Sequence, residues 1–447
     1  MDTPILDFLS QYDSRGALRF HMPGHKGKSV IGPEPLDITE INGADVLYLS
    51  DGIIKESEEN ATRLFGSKKT LYSTEGSSLS IRAMIYLLSL YAKERGETPL
   101  ILAGRNAHKS FMHAVATVDC EVEWIYPDSE CTILTVEVSA EELENRFESE
   151  KKKPTALYIT SPDYLGNVAD IEEISKVCKR HGVLLLVDNA HGAYLAFTEK
   201  KNHPILLGAD MCCDSAHKTL PALTGGAYLH ISKSAPVIFT EMAECAMSIF
   251  ASTSPSYLIL ASLDALNKRI DDGYRGKISE LAKNARELKQ KFTNFGYKVI
   301  GNEDLKITLA TKELGYKGTE IAEILEAQNM ICEFADEDYI VFMLSSETSK
   351  KELTLLSNAL LSIEKKEKIT RHAPPLTPPK RALSIREALF SVSCEVSVSC
   401  AIGKTLASAS IACPPAIPIL VCGEIIDENS AELFKYYKIE KCRIVKE

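Results

Sequence analysis

The chain has 447 residues, a net charge of −11, 45% hydrophobic and 25% charged residues. That length calls for two or three domains, and the composition is that of an ordinary globular protein. The acidic balance argues against a nucleic-acid-binding surface and leaves cationic substrates open. No stretch approaches 18 uninterrupted apolar residues, and no basic start leads into a long apolar run. Neither a membrane span nor a signal peptide is expected, and a cytoplasmic location follows as the expectation. None of the twelve cysteines forms a C-x-x-C pair, so we expect free thiols, mostly small core residues, and no metal site.

In chain order, residues 1–60 read as irregular and turn-rich, with Pro23-Gly24, Gly32-Pro33 and Asp51-Gly52. Residues 55–66 are helical in pattern, with Gly66 as the stop. Residues 77–92 are a strongly apolar helix. From 98 to 230 strands and helices alternate: strand 99–103, helix 107–117, strand 122–126, strand 156–160, helix 171–181 and strand 183–187. Continuous apolar strands separated by helices indicate a mostly parallel sheet covered on both faces, whose ligands bind at the carboxyl ends of strands. Residues 255–295 read as one long helix. Strand 305–310, helix 319–328, strand 339–344 and helix 350–363 make a small α+β lobe. A charge run and two Pro-Pro pairs mark a linker at 365–380. A helix at 384–390 and short β-like pieces follow. The expected organisation is therefore an N-terminal segment with a loop (1–60), a large α/β domain (61–295), a small α+β domain (296–364), the linker (365–380) and a C-terminal domain (381–447).

Two clusters carry chemistry. Asp188 ends the apolar run 183–187 within Val187-Asp188-Asn189-Ala190-His191-Gly192, and Lys218 follows in Asp214-Ser215-Ala216-His217-Lys218. The pair fits a pyridoxal phosphate (PLP) site. The lysine can hold the cofactor as a Schiff base, and the aspartate can keep the pyridine nitrogen protonated. Ahead of the apolar helix, Thr74-Glu75-Gly76-Ser77-Ser78 offers backbone N–H groups and hydroxyls that suit a phosphate. His108, in Arg105-Asn106-Ala107-His108, can stack on a cofactor ring. Ser161 to Gly166 is a strand-end turn that suits a pocket wall. The two histidines of His21 to Gly27 lack an acidic or cysteine partner close in sequence, so a loop is expected there and not a metal. Glu424 is a carboxylate that can meet a substrate cation.

Taken together, the chain resembles the Orn/Lys/Arg decarboxylase family, PLP-dependent enzymes of fold type I (the aspartate aminotransferase-like fold). The resemblance runs from about residue 15 to 430. It rests on FHMPGHKG at 20–27, DITE at 37–40, TEGSS at 74–78, RNAHKS at 105–110, VDNAHG at 187–192, SAHKTLPALTG at 215–225 and STSPSY at 252–257. It implies that Lys218 binds PLP covalently and Asp188 pairs with the ring nitrogen. It further implies that His108 and Ala190 flank the ring, and that Gly76, Ser77 and Ser78 hold the phosphate with Ser215 and His217. In such enzymes the site lies at a dimer interface. The resemblance thus also implies a homodimer or homotetramer in which the segment beginning at Ser252 reaches the partner's cofactor. The chain is similar to the short members, which lack an N-terminal wing domain.

The C-terminal part departs from the family pattern. It reads CPPAIP at 413–418 and CGE at 422–424, where the family usually reads YPPGIP and PGE. Cys400 and Ser410 stand where acidic or aromatic residues are expected. The implied reaction is α-decarboxylation of a basic amino acid to CO2 and an amine of polyamine metabolism. Arginine is favoured over lysine and ornithine, and Lys218 or His217 returns a proton to Cα. Two competing readings stand beside it. One is another fold-type I reaction, transamination or aldol-type cleavage; residues 301–364 contain no arginine to clamp a carboxylate, although Arg371, Arg381 and Arg386 could. The other is a PLP-binding homologue without catalysis, motivated by the altered C-terminal segment.

Overall fold

Residues 184–188 (LLLVD) are all buried, and a strand hydrophobic on both faces belongs inside a covered sheet. A computed structural model describes residues 1–128, 132–149, 152–408, 412–413 and 417–446, and the chain divides into two units. The first comprises residues 1–99, 155–157 and 171–279; the second comprises 100–154, 158–170 and 280–447. The central strands are β1 (Lys69–Ser73), β2 (Leu100–Gly104), β3 (Glu121–Ile125), β4 (Ala156–Thr160), β5 (Leu184–Asp188), β6 (Met211–Asp214) and β7 (Ala227–Ile231). In the first unit the order is β1-β7-β6-β5. β5 and β6 are parallel with Asp188 opposite Cys213, while β7 runs antiparallel to both β6 and β1. β7 is therefore the reversed strand of the four. In the second unit β2 and β3 pair in parallel. The α/β class expected from the sequence is the one observed.

The first unit opens with the helices α1 (Pro4–Ser14), α2 (Ile53–Phe65) and α3 (Ser77–Glu94), and the second with α4 (Lys109–Val118). α1 falls in the stretch read as irregular. It has Pro4 in its first turn and buries Ile5 and Leu9. Its first N–H groups are satisfied from far away, since Ile5 and Leu6 both donate to Asp264 Oδ2 at 3.0 Å. No local signal announces a cap 259 residues distant. α2 ends as expected at Gly66, whose φ of 71° gives the left-handed cap that glycine adopts without penalty. The single helix expected over 255–295 is instead two, Tyr257–Arg269 and Arg275–Phe295. Between them Asp272 is non-helical and Gly273 takes φ 82°. Asp-Gly is a turn signal, and here it outweighs the apolar periodicity on either side.

Glu58 of α2 is buried, and its Oε1 accepts from the Tyr72 N–H at 2.8 Å. Burial pushes its pKa up to about 8 from an ordinary 4.5, with the Tyr72 bond opposing. The unfolded chain therefore releases this proton at lower pH than the folded one. Stability falls as pH rises through that window. Glu58→Gln keeps the acceptor and is expected to flatten the decline in melting temperature between about pH 5 and pH 8. An unchanged slope would show that Glu58 ionises normally.

In the second unit β8 (Lys298–Ile300), β9 (Lys306–Ala310), β10 (Phe334–Ala335) and β11 (Tyr339–Met343) form an antiparallel sheet of order β10-β11-β9-β8. The helices Gly318–Glu326 and Lys350–Leu361 accompany it, the latter opened by a Ser349/Glu352 capping box. Residues 364–380 carry no regular element. Beyond them Ser384 and Glu387 cap the helix Ile385–Leu389, and β12 (Ser393–Ser397) pairs with Lys441–Val445. The helix Glu428–Tyr436 buries Leu433 and Phe434 in a stretch read as β-like. These two side chains share a core with Leu134, Leu406, Ile419 and Ile426.

Candidate active site

In the first unit the sheet delivers polar side chains at strand ends. β5 ends on Asp188, which is buried; its Oδ1 accepts from the Ala190 N–H at 3.2 Å and from the Cys213 thiol at 3.5 Å. Ala190, two residues further on in the turn, is buried. β6 leads into Ser215 and a four-residue helix, Ala216–Thr219, that carries His217 and Lys218, both half-buried. Lys218 Nζ lies 2.9 Å from His191 Nε2. This histidine stands inside the motif used to find Asp188, yet the sequence reading gave it no role. Its position three residues past a strand-end carboxylate was the available signal. His217 donates from Nδ1 to the Gly226 carbonyl at 2.9 Å, which makes Nδ1 the protonated nitrogen of the neutral ring. Burial pushes this imidazole down, and the charge on Lys218 acts in the same direction.

α3 begins at Ser77 behind Gly76, whose φ of 71° suits glycine and whose missing side chain leaves the helix without an N-cap acceptor. Gly76 N–H donates to Gly225 O at 2.8 Å. A Cβ on Gly225 would stand 2.8 Å from the Thr74 carbonyl, so the two loops touch backbone to backbone. Ser215 Oγ donates to Ser77 Oγ at 2.8 Å, bringing two hydroxyls from distant segments to the start of an 18-residue helix. The Ser252 N–H donates to Glu75 Oε1 at 2.6 Å, which ties the exposed 252 segment to the same loop. Gly76, Ser77 and Ser215 thus gather at one helix N-terminus, where an anion meets N–H dipoles and hydroxyls. This donor set suits a phosphate. A buried carboxylate at Asp188 suits a cationic ring nitrogen, and Lys218 supplies an amine. The residues present fit PLP.

The second unit holds the other candidates. His108 is the N-cap of α4, and its Nδ1 accepts from the Ser110 N–H at 3.2 Å. Glu424 is buried, and its Oε2 accepts from Arg105 Nη2 at 2.8 Å and from the Val421 N–H at 2.6 Å. Burial pushes its pKa up while Arg105 pulls it down. Arg105 also donates to the Pro418 and Ile419 carbonyls, both at 3.1 Å, and its guanidinium lies 5.4 Å from the Trp124 ring centre. Arg105 is a second residue that the sequence reading left without a task. Tyr164 and Asp163 of the strand-end turn are buried. Ser410 and residues 414–416 of the altered C-terminal motif lie outside the described residues, as does the side chain of Cys413. Among the described residues, no helix is long and apolar enough to cross a membrane, and ten cysteines are free thiols.

The fold has known relatives. The lysine decarboxylase LdcF of Francisella novicida superposes with a TM-score of 0.80 over 99% of this chain and 81% of its own, at 17% identity. That likeness shows a shared fold over nearly the whole chain, in line with the fold class expected from the sequence. Residues 3–306 match the family described as Orn/Lys/Arg decarboxylase, major domain. The uncharacterized protein YaaO of Bacillus subtilis (strain 168) is 32% identical, over 97% of this chain and 93% of its own length. An arginine decarboxylase of the same organism is 27% identical over 97% and 93%. The chain belongs to the Orn/Lys/Arg decarboxylase family and is a decarboxylase.

Proposed function

We propose that the chain removes the α-carboxylate of a basic amino acid, arginine in preference to lysine or ornithine, with PLP bound by the first unit. The observation that carries this reading is the 2.8 Å contact of Ser215 with Ser77 at the α3 N-terminus. It sets a phosphate cradle three residues from Lys218. When bound, PLP supplies an electron sink for the pair left by the departing carboxylate. Gly76, Ser77, Ser78 and Ser215 would hold the phosphate end, and Asp188 would face the ring nitrogen. Ala190 would flank the ring, the role that the family resemblance also gives His108. Lys218 holds the cofactor through its Nζ and returns a proton to the substrate Cα. Lys218 is preferred to His217 for that step, because His217 Nδ1 is committed to Gly226 and burial disfavours a second proton on the ring. His191, 2.9 Å from Lys218 Nζ, can take up or return the lysine's proton. Glu424 and the net charge of −11 suit a cationic side chain. The preference for arginine is supported by the arginine decarboxylase named above, which the chain matches over nearly its whole length. We further propose a homodimer in a cytoplasmic setting, with the Ser252 segment facing the partner, and the domain boundaries given from the sequence.

The test is mass-spectrometric detection of amine from arginine, lysine and ornithine, each incubated with PLP-loaded protein. Agmatine from arginine at the highest kcat/KM is the expected result. Cadaverine or putrescine in its place would overturn the arginine preference, and absence of all three amines would overturn the substrate class.

A further inference from the structure

β6 ends on Asp214, a carboxylate that the reading above leaves unused. Asp214, His203 and His230 are fully buried. His203 Nε2 lies 2.9 Å and His230 Nε2 3.2 Å from the same oxygen, Oδ2. The Asn189 amide donates to the other oxygen at 2.6 Å. His230 Nδ1 pairs with the Thr70 hydroxyl at 2.8 Å, and the ring of Phe65 lies against both imidazoles. A buried carboxylate needs donors, and three N–H groups supply them. Against the cost of burial, the two imidazoles hold the Asp214 carboxyl well below its usual range. Among the described residues nothing pairs with the buried His203 Nδ1, so a proton there would find no acceptor, and the Nε2–H tautomer fits the site. The three groups also form a possible metal set. A metal would have to displace two imidazole–carboxylate hydrogen bonds that already satisfy the carboxylate.

What this cluster grips is the residue that follows Asp188. The Asn189 N–H donates to Cys213 O at 3.0 Å, and Asn189 O accepts from Gly192 N–H at 2.8 Å. Backbone and side chain together pin the turn from Asp188 to Gly192. We propose that Asp214, oriented by His203 and His230, is a positioning residue. Through Asn189 it sets where Asp188 and His191 meet the cofactor. The proposal rests on the PLP reading given above.

The test measures PLP binding and not turnover. Apo-protein is titrated with PLP by absorbance, and the bound cofactor's visible band is followed against pH. Asn189→Ser removes the amide grip. It is expected to raise the PLP dissociation constant about tenfold, because binding must then order a turn that the apo-protein no longer holds in place, and to shift the midpoint of the absorbance titration. His230→Gln keeps an N–H toward Asp214 and is expected to stay near wild type, whereas His230→Phe is expected to follow Asn189→Ser. Melting curves check that each variant folds. Asn189→Ser with a lowered melting temperature but unchanged affinity and absorbance titration would reduce the cluster to a structural role and overturn the proposal. One equivalent of zinc in purified wild type would overturn its hydrogen-bonded form. Failure of wild type to bind PLP would instead overturn the reading on which it rests.

Discussion

Lys218→Ala is expected to abolish amine formation, with a loss on the order of 10^4-fold or more, the scale seen when a covalently acting group is deleted. Two things are lost together. On the proposed reading, the cofactor loses its covalent anchor, and the substrate Cα loses its proton donor. Lys218 is half-buried on a four-residue helix, so its removal leaves no large cavity and the fold is expected to persist. The variant should melt within a few degrees of wild type, and PLP should separate from it on gel filtration. Amine formation within tenfold of wild type would remove Lys218 from the mechanism. Adding a small primary amine separates the two losses, since it can replace the proton donor but not the anchor. Partial rescue would assign the larger share to proton transfer.

Arg105→Met is expected to be the most destabilising single change in the second unit. Arg105 and Glu424 are 1% and 5% exposed, and breaking such a pair from one side leaves a buried charge without its partner. The cost is about 3–5 kcal/mol. Arg105→Met also strips donors from the Pro418 and Ile419 carbonyls. Glu424→Leu should cost a similar amount, because it strands the guanidinium. The double substitution should cost much less than the sum, since a well-packed apolar pair replaces a buried ion pair at little or no net loss. Thermal denaturation of the four proteins measures this coupling, and simple additivity would show that the two side chains act independently. Glu424→Gln asks a further question. It keeps an acceptor for Arg105 but removes the charge. A raised KM at unchanged melting temperature would mark Glu424 as a substrate contact. A lowered melting temperature at unchanged KM would mark it as a support for Arg105.

Periodicity made the α/β framework legible. The helix Ile171–His181 falls where the apolar spacing puts it, and the strand expected at 183–187 is β5, one residue later. Such elements carry their own signal, because burial on both faces writes a continuous apolar run. What remained illegible depends on tertiary partners. α1 is short and is capped by Asp264 from another helix. The break at Asp272-Gly273 was written in a turn dipeptide, but the flanking apolar pattern concealed it. The candidate site divides in the same way. Asp188 stands out because strand-end position and residue type coincide, and Lys218 because it follows in a Ser-x-His-Lys context. Arg105 and Glu424 meet across 319 residues, and Asp214 and His230 meet through the β6–β7 pairing, joined by His203 from the N-cap of the helix Pro204–Leu207, an arrangement that no spacing rule anticipates. His191 was within the motif, and only its distance to Lys218 gives it a task.

The antiparallel pairing of β1 with β7 bears on how the chain is made. Lys69 sits opposite Ile231, and the N-terminus of α1 waits for Asp264. At about 5–20 residues per second, β1 leaves the ribosome roughly ten seconds or more before its partner strand exists. During that interval a strand with four buried positions out of five has no strand partner and an open edge. Docking of α1 is delayed longer still. The first unit therefore cannot fold sequentially from its N-terminus. Its opening segments must be kept soluble, by local compaction or by chaperones, until the ribosome has passed residue 264.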